Sequence, residues 1–185
     1  MSAATGAPRL ETDRLVMRAH SLDDYDACAR LWSDAAVTRF IGGSPASMQE
    51  SWFRLLRYAG HWQLLGYGYW VVEERASGRY AGEIGFADAR RDIRPSLAGM
   101  PESGWALAPW AQGKGYASEA LELLSHFAFN TLLLNQLFCN VGVTNENSLS
   151  LFEKHGFEKV GLKKSWNITT KGTFEDEWLL QLIAK

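Results

Sequence analysis

The stretch that most constrains this chain is Pro109-Trp110-Ala111-Gln112-Gly113-Lys114-Gly115-Tyr116-Ala117-Ser118-Glu119-Ala120. It begins where a strand over Gly104-Trp105-Ala106-Leu107-Ala108 stops, because proline has no N–H to give a ladder. Two glycines follow with one residue between them. Apolar residues then recur at Ala117, Ala120, Leu121, Leu124, Phe127 and Ala128, one face of a 3.6-residue repeat. Strand, glycine loop and helix N-terminus in succession are a recipe for holding an anion. The first N–H groups of a helix lack intrahelical partners, and the macrodipole adds about half a positive charge there. Glycines let that backbone approach a phosphate with no side chain in the way. The expectation is a phosphate-bearing cofactor docked on residues 112–117.

Composition narrows the alternatives. At 185 residues one domain over 1–185 is favoured, with a core of useful size, and the small polar stretch 1–9 is expected to be disordered. A formal net charge of -2 argues against broad electrostatic capture of nucleic acid. No apolar run approaches the roughly 20 residues that span a bilayer, and residues 1–9 carry no hydrophobic signal core. A cytoplasmic protein with no membrane partner is expected. Cys28 and Cys139 lie far apart in apolar surroundings and read as small buried hydrophobes, and neither they nor the four histidines show metal-ligand spacing. Of the eight tryptophans, Trp32, Trp52, Trp70 and Trp178 read as core or half-core fillers.

In chain order, residues 10–18 read as a first strand with Leu15 and Met17 on one face. Ser21 caps a helix that turns Tyr25, Cys28, Ala29 and Trp32 inward. Ser47 caps a second helix over residues 48–61, with Trp52, Leu55, Leu56 and Ala59 as its apolar stripe. Strands follow over 69–73 and 80–86, then a polar connection over 87–101 containing Arg90, Arg91 and Arg94. After the glycine loop and its helix, the apolar run 137–143 fits a central strand buried on both faces. Asn145-Glu146-Asn147-Ser148 opens a short helix that Gly156 stops, and residues 157–160, 164–170 and 173–183 read as terminal strands. The fold class is α+β, a mixed sheet with helices on its faces.

Gln112-Gly113-Lys114-Gly115-Tyr116-Ala117 resembles the Gln/Arg-x-x-Gly-x-Gly/Ala signature of the GNAT superfamily of N-acetyltransferases. Residues 145–157 are similar to that family's second cofactor segment, and residues 10–18 to the start of its Rim-type branch, which includes ribosomal-protein N-terminal acetyltransferases. The three segments stand in the family's order and cover nearly the whole chain. The resemblance implies a central, mostly antiparallel sheet flanked by helices, and acetyl-CoA as co-substrate. It implies a diphosphate on the amides of Gln112, Gly113, Lys114, Gly115, Tyr116 and Ala117. It also implies a pantetheine arm paired with Trp105, Ala106, Leu107 and Ala108, splayed from strand 137–143, with Asn145 contacting the arm and Phe152 packed along it.

Acetyl transfer needs a neutral amine, a polarised thioester carbonyl and a proton for the departing thiolate. A lysine-type amine costs about 4.6 kcal/mol to deprotonate at pH 7, an N-terminal amine only about 1 kcal/mol. The developing oxyanion can be met by the N–H of Leu107, a donor typically worth about 3–4 kcal/mol. Glu102 is the first candidate base, acting through water; the competing reading is a surface glutamate beside Pro101. Glu83 is the second candidate, Glu175 and Asp176 the third. The family often carries a tyrosine where this chain has Phe152, which removes that proton donor. In Rim-type relatives a serine near the start of the short helix takes the role, and Ser148 matches it; the alternative is a helix-start serine bonded to nearby backbone. Lys114 meets solvent or a phosphate, Lys154, Lys163 and Lys164 are surface lysines or contacts for a 3′-phosphate, and His155 complements a helix dipole.

Three functions compete. One is an N-acetyltransferase acting on a protein N-terminus or small amine, as monomer or homodimer. A non-catalytic acyl-CoA-binding sensor keeps the loop and needs neither acid nor base. A dinucleotide-binding oxidoreductase lacks its third glycine or alanine here, and a nucleoside-triphosphate loop is excluded because Gly115 follows Lys114. The first is preferred.

Overall fold

Leu15 and Met17 do alternate into the core, but from a strand of four residues rather than nine. In the computed structural model, which describes residues 6–90, 96–168 and 174–184, the opening segment folds back on itself. β1 (Leu10–Glu11) and β2 (Leu15–Arg18) pair antiparallel around a turn. Then come a 3₁₀ turn (Leu22–Asp24), α1 (Tyr25–Trp32), α2 (Ala35–Thr38) and α3 (Met48–Leu65). β3 (Tyr69–Glu74), β4 (Arg79–Ala87) and β5 (Glu102–Leu107) follow, then α4 (Tyr116–Asn130), β6 (Gln136–Gly142), α5 (Glu146–Lys154), β7 (Glu158–Ile168) and β8 (Phe174–Ile183).

The strands form one sheet in the order β1-β2-β3-β4-β5-β6-β8-β7. Every neighbouring pair is antiparallel except β5 and β6. On one face, α4 and α5 bury Ala120, Leu121, Leu124, Leu149 and Phe152 against Met17, Trp70, Ile84 and Leu107. On the other, α1 and α2 bury Cys28, Leu31, Trp32 and Val37 against Ala106. This is the mixed, mostly antiparallel sheet with helices on both faces that the sequence implies.

Several local expectations need correction. The carbonyl of Pro8 accepts the indole N–H of Trp70 at 2.8 Å; residues 1–5 lie outside the described residues. α3 runs to Leu65, and its buried positions are Ser51, Leu55, Tyr58 and Trp62, whereas Trp52, Leu56 and Ala59 are exposed. The helix phase follows polar partners: the Tyr58 hydroxyl reaches Glu83 and the Trp62 indole donates to the carbonyl of Tyr69. The expected strands 157–160 and 164–170 are one strand, β7, that bends through register shifts; residues 169 and 170 lie outside the described residues. Cys28 and Cys139 are buried and unpaired with each other. Among the described residues no helix is long and apolar enough to cross a membrane.

Candidate active site

β5 and β6 meet at a single register position, Glu102 opposite Phe138, supported by a 3.0 Å bond from the Phe138 N–H to the Pro101 carbonyl. From there β5 continues along β4 as far as Leu107 opposite Gly82, while β6 continues along β8 as far as Gly142 opposite Glu177. A wedge therefore opens between residues 103–107 and 139–142. The Ala108 N–H donates to Ala81 at 2.9 Å, and N–H directions alternate along a strand. Trp105 and Leu107 consequently turn their peptide groups away from β4, into the wedge.

The glycine loop stands at the end of this strand. A 3₁₀ turn (Pro109–Ala111) reverses the chain, and the Gln112 side-chain amide donates to the Leu107 carbonyl at 2.9 Å. Gly113 (φ +72°) and Gly115 (φ +80°) are both left-handed, a conformation open to glycine at no steric cost. Gly115 caps α4, so the first N–H groups of that helix face the loop. Tyr116 and Ala117 are the first helical residues; the Tyr116 ring is buried and its hydroxyl donates to Glu74 at 2.6 Å. Lys114 does not reach into the loop. Its ammonium lies 3.6 Å from Glu74 and 4.8 Å from the centre of the Trp110 ring.

α5 forms the other wall. Asn145 caps it by accepting the Ser148 N–H at 3.3 Å, so its side-chain oxygen is engaged by its own helix. Phe152 packs on Trp105 with ring centres 4.6 Å apart. Ser148, one turn earlier on the same helix face, is half-buried. At the end of the helix, His155 sits 2.8 Å from the Ser118 hydroxyl on α4, a link that spacing does not reveal, and burial lowers its pKa.

Side chains alternate across the sheet, so Glu102, Gly104 and Ala106 face the opposite side from Trp105 and Leu107. Glu102 is half-buried there. Gly104 leaves room for the Tyr69 hydroxyl: a β-carbon on Gly104 would stand 2.7 Å from it. Burial, then the nearby Glu102 carboxylate, push the Tyr69 phenol well above its usual range. The wedge thus has Glu102 on its α1–α3 side and Ser148 on its α5 side.

The second candidate base is differently placed. Glu83 is fully buried, and its carboxylate accepts from Trp32 (2.8 Å), Tyr58 (2.7 Å) and Tyr80 (2.6 Å). His20 stands 3.6 Å away, an ion-pair separation. Burial alone would raise its pKa, yet His20, Tyr80 and Tyr58 together hold it at about 2. Fully enclosed and bonded to these donors, Glu83 is built as a structural anion, and Glu102 is the more open of the two carboxylates. Tyr80 and Glu83 are three residues apart and would point to opposite faces of a regular strand. A bulge at Ala81, where the β3 register jumps from Gly82 to Tyr80, brings them together.

The third candidates are tied to their surroundings: Glu175 accepts the Thr144 hydroxyl at 2.8 Å, and Asp176 pairs with Lys164 at 3.0 Å. Arg90 pairs with Asp88 at 2.8 Å, while Arg91 and Arg94 lie outside the described residues. Among the described residues no group of three His, Cys, Asp or Glu could hold a metal ion.

Residues 14–158 match the family model described as an acetyltransferase (GNAT) domain. The chain belongs to the GNAT acetyltransferase family. An N-acetyltransferase of Bacillus licheniformis, p20, is 27% identical over 177 residues, covering 95% of this chain and 96% of that one. Two solved GNAT enzymes share the fold. One is the ribosomal-protein-S5-alanine acetyltransferase of Vibrio fischeri, with TM-score 0.79 at 20% identity, covering 96% of this chain and 97% of the other. The second is the spermidine N-acetyltransferase of Vibrio cholerae, in complex with CoA and spermine, with TM-score 0.76 at 21% identity, covering 93% and 96%. The residues that resemble the GNAT signature thus hold the two left-handed glycines, and those that resemble the family's second cofactor segment form the α5 wall.

Proposed function

We propose that this GNAT domain transfers the acetyl group of acetyl-CoA to a primary amine, a protein N-terminus or a small-molecule amine, by direct attack in a ternary complex. The observation that carries the reading is the wedge between β5 and β6, with the double-glycine loop at its end. The left-handed loop and the first N–H groups of α4 suit a diphosphate. The peptide edge of Trp105 and Leu107, turned off β4, suits an arm that carries amides of its own. CoA bound to the Vibrio cholerae relative, which shares this fold, agrees with that fit.

The residues divide the chemistry between the two faces of the sheet. The Leu107 N–H polarises the thioester carbonyl from within the wedge. Glu102, on the α1–α3 side, takes a proton from the amine through water. Ser148, on the α5 side, supplies a proton to the departing thiolate. Base and acid approach from opposite sides, so neither obstructs the other. An acyl-CoA sensor would need only the loop; a carboxylate and a hydroxyl flanking the same wedge favour an enzyme.

The deciding experiment measures free-thiol release from acetyl-CoA across a panel of polyamines, small amines and N-terminal peptides. Release above the hydrolysis background with one class identifies the acceptor, and none with any amine overturns the reading. Glu102→Gln is expected to lower kcat/KM by about 10²-fold and to change the shape of its pH profile. The loss should be larger for a lysine-type amine than for an N-terminus, since the former must shed about 3–4 kcal/mol more to become neutral. An unchanged profile rules out Glu102 as the base.

A further inference from the structure

The Thr12–Arg14 turn between β1 and β2 is remote in sequence from the glycine loop, with Arg14 and Lys114 100 positions apart, yet it is bonded to that loop from outside. Arg14 Nη1 donates to the Lys114 carbonyl at 2.9 Å, and Nε donates to Glu119 Oε2 at 2.6 Å. The backbone N–H of Arg14 also reaches Glu119, at 3.2 Å, and the Thr12 hydroxyl donates to the same carboxylate. The guanidinium lies 5.1 Å from the centre of the Tyr116 ring, and a β-carbon on Gly115 would stand 3.4 Å from Nη2. From the β3–β4 hairpin, Glu74 holds the Tyr116 hydroxyl and the Lys114 ammonium. Lys114 and Tyr116, which flank Gly115, are thus tied to the sheet by side chains of two different turns.

The peptide plane explains what this does. In a trans peptide the C=O of one residue and the N–H of the next point in opposite directions. Holding the Lys114 carbonyl outward, on Arg14, therefore turns the Gly115 N–H to the opposite side of the loop. A glycine-flanked peptide has little steric reason to keep that orientation, and a flipped plane would present an oxygen where an anion needs a donor.

We propose that Arg14 is a positioning residue for the diphosphate site: by fixing the Lys114 carbonyl it keeps the Gly115 N–H aimed at the bound anion. It touches neither the cofactor nor the reacting atoms. The inference rests on the reading of the loop as the CoA diphosphate site.

The test compares wild type, Arg14→Ala, Arg14→Lys, Glu119→Gln and the control Arg9→Ala, whose side chain pairs on the surface with Glu11. Calorimetry with CoA gives Kd, and steady-state kinetics with the best amine of the panel give KM for acetyl-CoA and kcat. Arg14→Ala should raise both Kd and KM about tenfold, the loss of one charge-assisted bond, with kcat at saturating acetyl-CoA within about twofold of wild type. Arg14→Lys should recover only part of the loss, because an ammonium cannot span the carbonyl and the carboxylate in one plane. Glu119→Gln, which keeps the shape and loosens the guanidinium, should move Kd the same way if Arg14→Ala does not fold. Arg9→Ala should match wild type. Equal CoA affinity in wild type and the Arg14 and Glu119 variants, or a fall in kcat with KM unchanged, overturns this inference alone. A wild type that binds no CoA overturns the reading of the loop and this inference with it.

Discussion

Glu83 is the sharpest point at which to test the physical account, because it is a buried charge held by named donors. Glu83→Gln keeps the shape and removes the charge. An amide oxygen can still serve Trp32 and Tyr58, but its NH₂ then faces Tyr80, whose hydroxyl must reverse from donor to acceptor. The wild-type carboxyl titrates at about 2 when folded, below its ordinary 4.5. Ionisation therefore stabilises the fold fully above pH 4.5, and that contribution disappears as pH falls from 4.5 towards 2. At 1.36 kcal/mol per unit the shift is worth about 3 kcal/mol at pH 7. Glu83→Gln should lose most of this, about 6–12 °C in Tm for a chain of this length. Glu83→Ala should lose about 3–5 kcal/mol, since it leaves three buried donors without an acceptor. Urea unfolding followed by tryptophan fluorescence, at pH 7, 5, 4 and 3, measures the gap between wild type and Glu83→Gln. It should be present at pH 7 and narrow as the pH falls below 4.5 towards 3. A gap under about 1 kcal/mol at pH 7, or one that closes by pH 5, would show that Glu83 is not the ionised centre described.

Two further outcomes follow from the site and its scaffold. Ser148→Ala should lower kcat by about 10²-fold with little change in CoA affinity if Ser148 donates the proton, and full turnover would assign that role to water. Gly82→Ala should lower Tm by about 6 °C or more, because a β-carbon there runs into the Ala106 carbonyl and the residue stands at φ +151°; an unchanged Tm would mean that β4 and β5 do not approach as described.

What sequence alone revealed has a physical boundary. The loop and α4 were legible because their signals are local: two glycines, a capped helix, a repeat of 3.6. β6 was legible because a strand covered on both faces is nearly all apolar. The phase of α3 was not, since hydrophobicity favours Trp52 and Leu56 over Tyr58, while the fold needs the Tyr58 hydroxyl at Glu83. Ala81 hides its bulge for the same reason: nothing in its own chemistry records that β3 pairs Tyr80 and Gly82 with consecutive residues. The Arg14–Glu119 pair lies 105 positions apart and depends on how β2 and α4 cross. Candidate bases could be named from sequence, but only burial separated Glu83, enclosed by donors, from Glu102, half-open beside the wedge.

The single register position joining β5 to β6 has a mechanical meaning. Among the described residues the sheet is two leaves, β1–β5 and β6–β8, sharing one stitch of backbone and a common core with α4 and α5. A ligand whose own amides bond to one leaf while its length rests against the other acts as a missing strand. Binding it would raise the cooperativity of unfolding as well as the stability, because it is the sheet itself that the ligand completes.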